Sequence, residues 1–229
     1  MNLFEQTSVE QNLGSVPQRL VVVGVDEAGR GALAGPVVVA ATWWEIGVDT
    51  PFPEDRRRGV VIRDSKLMTH NQRTRSFDAL VARGRHAVVF KHHDEIDRVN
   101  ILRATLDAMH ECVNSCLQQI PRDSNVVVFI DGDQMPSIAD DPRVLWKTCI
   151  TRGDALSYSI AAASILAKHS RDSYMIDYPD DRYGFRKHKG YGTQQHLRAI
   201  AEHGACPIHR MSFRPFRYVD GFLEEVSSP

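Results

Sequence analysis

Leu20-Val21-Val22-Val23-Gly24-Val25-Asp26-Glu27-Ala28-Gly29-Arg30-Gly31-Ala32-Leu33-Ala34-Gly35-Pro36 is the stretch that decides the fold. Its first six residues are short, apolar and rich in valine, the pattern of a buried strand. The strand runs into two acids, and three glycines and a proline then impose a sharp, irregular turn. Val37 to Trp44 is apolar again and reads as a second strand, hairpin-paired with the first. Val126 to Ile130 repeats the theme and also ends in acid, Asp131-Gly132. In open α/β sheets, sites gather beyond the carboxyl ends of strands, so Asp26 and Asp131 meet if their strands are neighbours. Clustered carboxylates repel one another unless a cation joins them. Hard divalent ions with oxygen ligands are the natural partner, and a pair of them about 4 Å apart suits phosphodiester hydrolysis. Taken singly, a strand-end aspartate reads more readily as a turn residue or a helix cap than as a ligand. Glu27 poses a geometric question, because adjacent strand residues face opposite sides of a sheet. Asp26 and Glu27 share a site only if the chain leaves the strand there.

Outward from these strands, Thr69 to Arg83 reads as a helix capped by Thr69, with Phe77, Leu80 and Val81 on one stripe. His86 to Lys91 reads as a short strand, and His93 to Gln119 as helix with a break near Asn100. Val144 to Cys149 is a weaker strand, and Ala155 to Tyr178 one long helix whose small residues permit close packing on a sheet. From Asp180 onward the pattern is loop and helix. The expected architecture is α/β, a mixed sheet flanked by helices. Residues 1–19 form a loose, polar N-terminal tail in this reading, 20–179 the catalytic body and 180–229 a helical C-terminal extension.

Twenty-eight basic and 29 acidic residues give a net charge of −1, which excludes a protein that coats nucleic acid by bulk charge. The distribution is uneven. Arg182 to Arg217 holds eight Lys and Arg against one acid, Glu202, a net of +7 that leaves −8 for the remainder. This basic stretch is the surface expected to attract a polyanion. No apolar run approaches the roughly 18 residues that span a bilayer, and Met1 to Arg19 lacks the apolar core of a secretory signal. Cys112, Cys116, Cys149 and Cys206 fit neither a disulfide framework nor paired zinc spacings. Cys112 and Cys116 lie on one helix face as core thiols, consistent with a cytoplasmic location. A monomer is the default expectation.

Val23 to Val37 closely resembles the signature of ribonuclease HII, the bacterial type 2 ribonuclease H. Further segments agree in order: Asp64-Ser65-Lys66, Asn100-Ile101-Leu102 with Ala104-Thr105, Asp131-Gly132, Gly153-Asp154, Ser159 to Lys168 with Arg171-Asp172, His188 to Thr193, and His209 to Phe213. The resemblance runs from about residue 20 to 218. Ala32 and Asp133 stand where many relatives have proline and asparagine, and neither is a ligand position. The related ribonuclease HIII carries an additional N-terminal domain and a glutamate as the fourth acid; here the fourth acid is Asp154, which favours HII.

The resemblance implies a ribonuclease H-like fold and Mn2+- or Mg2+-dependent hydrolysis of RNA paired with DNA. It also implies incision 5′ of single ribonucleotides in duplex DNA, leaving a 3′-hydroxyl and a 5′-phosphate. By position it assigns metal binding to Asp26, Glu27, Asp131 and Asp154. Reading of the ribose 2′-hydroxyl falls to Gly29, Arg30 and Gly31, with Tyr191 against the next sugar. Lys66, Asn100 and Lys168 are candidates for phosphate contacts. From the residues alone, Asp154 reads as a helix cap and Tyr191 as a packed loop aromatic. One hydrogen bond is worth roughly 1–3 kcal/mol in a desolvated site, too little for strong selectivity. The 2′-hydroxyl is therefore expected to help assemble the metal site, so that selectivity appears in turnover. Other readings are a junction resolvase of similar fold, a non-catalytic nucleic-acid-binding module, and a sugar- or nucleotide-phosphate enzyme; the last lacks a phosphate loop.

Overall fold

The computed structural model describes residues 2–46 and 59–216. The expected loop at Thr50 to Arg58 and the terminal stretch Gly221 to Pro229, where no clamp-binding tail was expected, lie outside the described residues. Five strands form one sheet in the order β3-β2-β1-β4-β5: β1 Leu20–Ala28, β2 Val37–Glu45, β3 His86–Lys91, β4 Asn125–Asp131 and β5 Val144–Ile150. β1 pairs antiparallel with β2, as does β2 with β3, while β1–β4 and β4–β5 are parallel. The first strand and the second acidic strand are therefore direct neighbours, as the site requires.

Helices cover both faces. α4 (Ile101–Gln119) places Ala108, Met109, Cys112 and Cys116 against Val21, Val23, Val25 and Val128. α6 (Tyr158–Asp177) places Ile160, Ala161 and Ile165 on the opposite face. Alternate residues of β1 thus serve opposite cores, which is why the strand carries no polar alternation. Gly24 explains how closely α6 sits. A Cβ there would fall 2.2 Å from the Ser159 carbonyl carbon and 2.5 Å from the Ile160 nitrogen, both backbone. The Cys112 and Cys116 thiols are fully buried, and burial pushes Cys112 up beyond the range of ordinary thiols and Cys116 up to about 12.

α2 (His70–Ala82) starts after the Thr69 cap, and α3 (His93–Val99) meets α4 at Asn100, whose φ is 71°. Of the expected α2 stripe, Val81 instead faces solvent at 40% exposure. The long helix from Ala155 divides. α5 (Gly153–Leu156) and α6 are separated by Ser157, whose extended backbone breaks the helix and whose hydroxyl caps Ile160 N–H at 3.3 Å. The C-terminal block holds α7 (Phe185–His188) and α8 (Gln194–His203).

The N-terminal residues depart from the expected loose tail. Leu3–Leu13 is a helix, α1, with a reciprocal capping box between Asn2 and Glu5 and Gly14 in the left-handed region at its end. It has almost no apolar periodicity, so the pattern that reveals amphipathic helices is missing. The Asn2-x-x-Glu5 spacing was the available signal.

Candidate active site

β1 and β4 carry the acids. Their parallel ladder ends at Val25–Ile130, whereas β1 stays paired with β2 through Ala28. The strand therefore does not stop at Asp26-Glu27, as the sequence suggested. It continues beside an open edge, and the longer Glu27 side chain reaches the same site as Asp26. One carboxylate oxygen from each of Asp26, Glu27 and Asp131 lies within 4.8 Å of the others. Asp26 is 5% exposed and accepts the Glu27 N–H at 2.6 Å. Asp131 accepts the Gly153 N–H at 2.7 Å, which ties the start of α5 to β4. Asp154 follows immediately, 7% exposed, with Lys66 Nζ 3.3 Å from its Oδ2. It stands outside the tight triad but within its field.

The electrostatics ask for a cation. Burial, then Glu27 and Asp131, push Asp26 well above the ordinary carboxyl range. Burial also raises Glu27 and Asp131, with Asp131 adding to the former and Asp154 to the latter. The three clustered carboxyls, with Asp154 beside them, offer hard oxygen donors that fit a divalent cation such as Mg2+ or Mn2+. The protein offers them only partial relief, through Lys66 at Asp154 and Arg30 Nη1 at 3.4 Å from Glu27 Oε1.

The Gly29–Gly31 turn follows at once. Gly29 has φ 95°, and a Cβ there would lie 1.9 Å from Arg171 Nε, so glycine is required. Gly31 has no protein atom near its missing Cβ, leaving the backbone open to a ligand. The turn joins the Tyr191 loop through Leu33 N–H, which donates to the Gly190 carbonyl at 2.8 Å. The Tyr191 ring is 37% exposed and lies against the Arg171 guanidinium (5.2 Å) and Lys168 Nζ (5.9 Å). Glu27 is thus tied to the turn through Arg30, and the turn to the Tyr191 loop through Leu33.

The weaker candidates divide. Lys66 is at the acids, and Lys168 is beside Tyr191 but ion-paired with Asp172 at 2.8 Å. Asn100 Oδ1 accepts the Arg103 N–H at 3.0 Å, a capping role for α4. Most of the basic C-terminal stretch is exposed: among the described residues Arg182, Arg186, Lys187, Arg198 and Arg214 lie at the surface. Arg210 is fully buried, and Arg182 is paired with Asp180 at 2.8 Å.

Sequence reasoning missed what supports the turn. Arg171 and Arg210, both fully buried, hold it from beneath. Arg171 donates to the carbonyls of Pro36 (2.9 Å) and Ala34 (3.1 Å), and Arg210 to those of Gly35 and Arg30 (both 2.9 Å). In a trans peptide the carbonyl and the next N–H point oppositely. Fixing the Arg30 carbonyl inward therefore turns the Gly31 N–H outward. A buried histidine relay was also missed, because its members are far apart in sequence. Cys206 N–H donates to His209 Nδ1 (2.8 Å), so His209 Nε2 carries the proton and donates to His196 Nε2 (2.9 Å). His196 Nδ1–H then donates to the Tyr191 carbonyl (3.0 Å). Burial pushes both imidazoles down to about 4, so the relay is neutral.

A mixed sheet with a carboxylate cluster at adjoining parallel strand ends defines a metal-dependent phosphodiester hydrolase of the ribonuclease H type. The ribonuclease HII family profile matches residues 23–215, and the chain belongs to that family, endonucleases acting on RNA–DNA. It is 40% identical over 198 residues to ribonuclease HII of Albidiferax ferrireducens, covering 85% of this chain and 86% of that one. It is 43% identical over 198 residues to that of Geobacter sulfurreducens, covering 86% and 83%. In fold it resembles ribonuclease H2 from Pyrococcus horikoshii OT3 (TM-score 0.61, 23% identity, 86% and 95% covered). It also resembles Bst-RNase HIII in complex with Mn2+ (TM-score 0.62, 18% identity, 93% and 78% covered). Among the described residues no helix is long and apolar enough to cross a membrane.

Proposed function

We propose that this enzyme, besides hydrolysing RNA in RNA–DNA hybrids, incises duplex DNA on the 5′ side of a single embedded ribonucleotide. The observation that carries this is the adjacency of Asp26, Glu27 and Asp131, within 4.8 Å, to a glycine-lined turn two residues on. Asp26, Glu27, Asp131 and Asp154 hold two divalent ions, Mn2+ or Mg2+. When bound, such ions would make the attacking water more acidic and neutralise charge on the leaving oxygen.

The chain's own groups supply the rest. The Gly29 and Gly31 backbone and the Arg30 side chain bind the 2′-hydroxyl, and Tyr191 packs on the adjoining sugar. Arg30 also contacts Glu27, so occupancy of the reader is felt at a metal carboxylate, and selectivity enters turnover as well as binding. Lys66 neutralises Asp154 before substrate arrives and then donates to a phosphate oxygen, as Lys168 does nearer Tyr191; Asn100, whose Oδ1 caps α4, offers a phosphate its Nδ2–H. Water attacks phosphorus and the bond to the upstream 3′-oxygen breaks. The 2′-hydroxyl stays on the 5′-phosphate product and is no nucleophile. The free cysteines suit a cytoplasmic enzyme, working as a monomer.

End mapping on a duplex with one ribonucleotide tests this. The expected products are an upstream 3′-hydroxyl and a ribonucleotide bearing a 5′-phosphate. A cut 3′ of the ribonucleotide with a 2′,3′-cyclic phosphate would overturn it, since that product requires attack by the 2′-oxygen. Cleavage of branched DNA in preference to this duplex would favour a resolvase.

A further inference from the structure

α1 lies outside residues 23–215, the span shared with the family, and it is fastened in an unusual way. Its buried residues are Val9 and Glu5, the latter only 2% exposed. Glu5 Oε1 accepts three hydrogen bonds, from Ser157 Oγ (2.6 Å), Ser159 N–H (2.8 Å) and Ser159 Oγ (2.8 Å). Its Oε2 accepts the Asn2 N–H at 3.1 Å, and Asn2 Nδ2 donates to the Leu156 carbonyl at 2.6 Å. All of these donors are neutral. A buried carboxylate gains little net stability from such an arrangement, because its desolvation offsets the bonds. What it gains is a fixed geometry at one place, the junction of α5 and α6.

That junction carries Asp154. A helix of four residues cannot support itself, so α5 is positioned by its ends. The first end is held by Gly153 N–H on Asp131, inside the acidic site. The last is held by Ser157 N–H on the Gly153 carbonyl at 2.7 Å and by α1, through Asn2 to Leu156 and Glu5 to Ser157. Leu156 is 44% exposed and packs too little to do this itself.

We propose that α1 is a brace for the metal centre, with Glu5 as a positioning residue that sets Asp154 through Ser157 and Ser159. This rests on the reading of Asp154 as a metal carboxylate. Glu5→Ala removes the acceptor that three buried donors share, leaves the two serine hydroxyls only each other (Ser157 Oγ to Ser159 Oγ, 3.0 Å) and frees the end of α5. Glu5→Gln keeps an oxygen for the same donors. Loss of an outer-shell support typically weakens metal binding by ~10-fold or more.

The test is calorimetric titration of the metal-free full chain with Mn2+, alongside melting temperature. Glu5→Ala should weaken the Mn2+ step that Asp154→Asn also weakens, by about tenfold, and Glu5→Gln should restore most of it. Ser159→Ala, which removes one donor and keeps the fold, should shift the same step by a smaller factor. Adding Glu5→Ala to Asp154→Asn should cost nothing more in Mn2+ affinity. A lower melting temperature with unchanged Mn2+ binding would overturn the brace and leave α1 as a stabilising helix. Equal losses with and without Asp154 would also overturn it. Mn2+ binding that is indifferent to Asp154→Asn would instead remove the ligand reading on which the brace stands.

Discussion

Gly153 N–H donates to Asp131 Oδ1 at 2.7 Å, so the third acid is both a member of the carboxylate cluster and the anchor of the turn that carries the fourth. Asn at this position keeps the accepting oxygen and loses the charge. Asp131→Asn should therefore leave the melting temperature of the metal-free protein unchanged or raise it, by relieving repulsion with Asp26 and Glu27. Asp131→Ala, which also orphans the amide, should lower stability by about 1–3 kcal/mol. Thermal melts in chelator check both; a clear fall for Asp131→Asn would mark the charge itself as structural.

The same cluster sets a pH dependence. Asp26, Glu27 and Asp131 all have raised folded pKa values, from ordinary values of 3.8, 4.5 and 3.8. In the window above those values the folded, metal-free chain binds more protons than the unfolded chain. These groups therefore withdraw stability as pH rises through it. Metal must displace those protons, so Mn2+ binding should release protons and weaken as pH falls. Calorimetry in buffers of different ionisation enthalpy reads the proton count. A count of zero at the lower edge of the binding range would contradict the shifts.

The relay from His209 through His196 to the Tyr191 carbonyl works with both rings neutral. Their imidazole resonances should titrate at about 4. Because that lies below the unfolded value near 6.5, the unfolded chain binds more protons in between. These two groups therefore withdraw stability as pH falls from about 6.5 to about 4. Side-chain NMR between pH 8 and 4 checks it; a midpoint near 6.5 for either ring would mean the relay is open.

Arg210 fixes the Arg30 carbonyl and so aims the Gly31 N–H. Lysine there keeps the charge but cannot grip the Gly35 and Arg30 carbonyls together. Arg210→Lys should reduce cleavage at a ribonucleotide by about 5- to 150-fold, the value of one well-placed hydrogen bond, with Mn2+ affinity retained. Loss of Mn2+ affinity in parallel would place Arg210 among the supports of the acids instead.

The strands around Asp26 and Asp131 were legible because a sheet covered on both faces needs unbroken apolar runs. Their adjacency followed once each run ended in acid. Glu27's position was not legible, since it depends on β4 ending while β2 continues, a fact of register rather than of composition. α1 was missed because polar bonds hold it, and periodicity sees only apolar faces. Arg171, Arg210, His196 and His209 were invisible for a related reason. In a sequence, a basic residue reads as surface, and only the fold shows that these four lie inside, bonded to carbonyls or to one another. Among the described Lys and Arg residues of the C-terminal stretch, Arg210 alone is buried in this way.

The central claim is that four carboxylates form one divalent-metal centre coupled to a 2′-hydroxyl reader. The most direct test is single-turnover cleavage of two duplexes differing only in one 2′-hydroxyl, with Mn2+ and with chelator. The expected result is cutting of the ribonucleotide-containing duplex alone, abolished by chelator and by Asp26→Asn. Equal rates on both duplexes, or cleavage that survives chelation, would contradict the account.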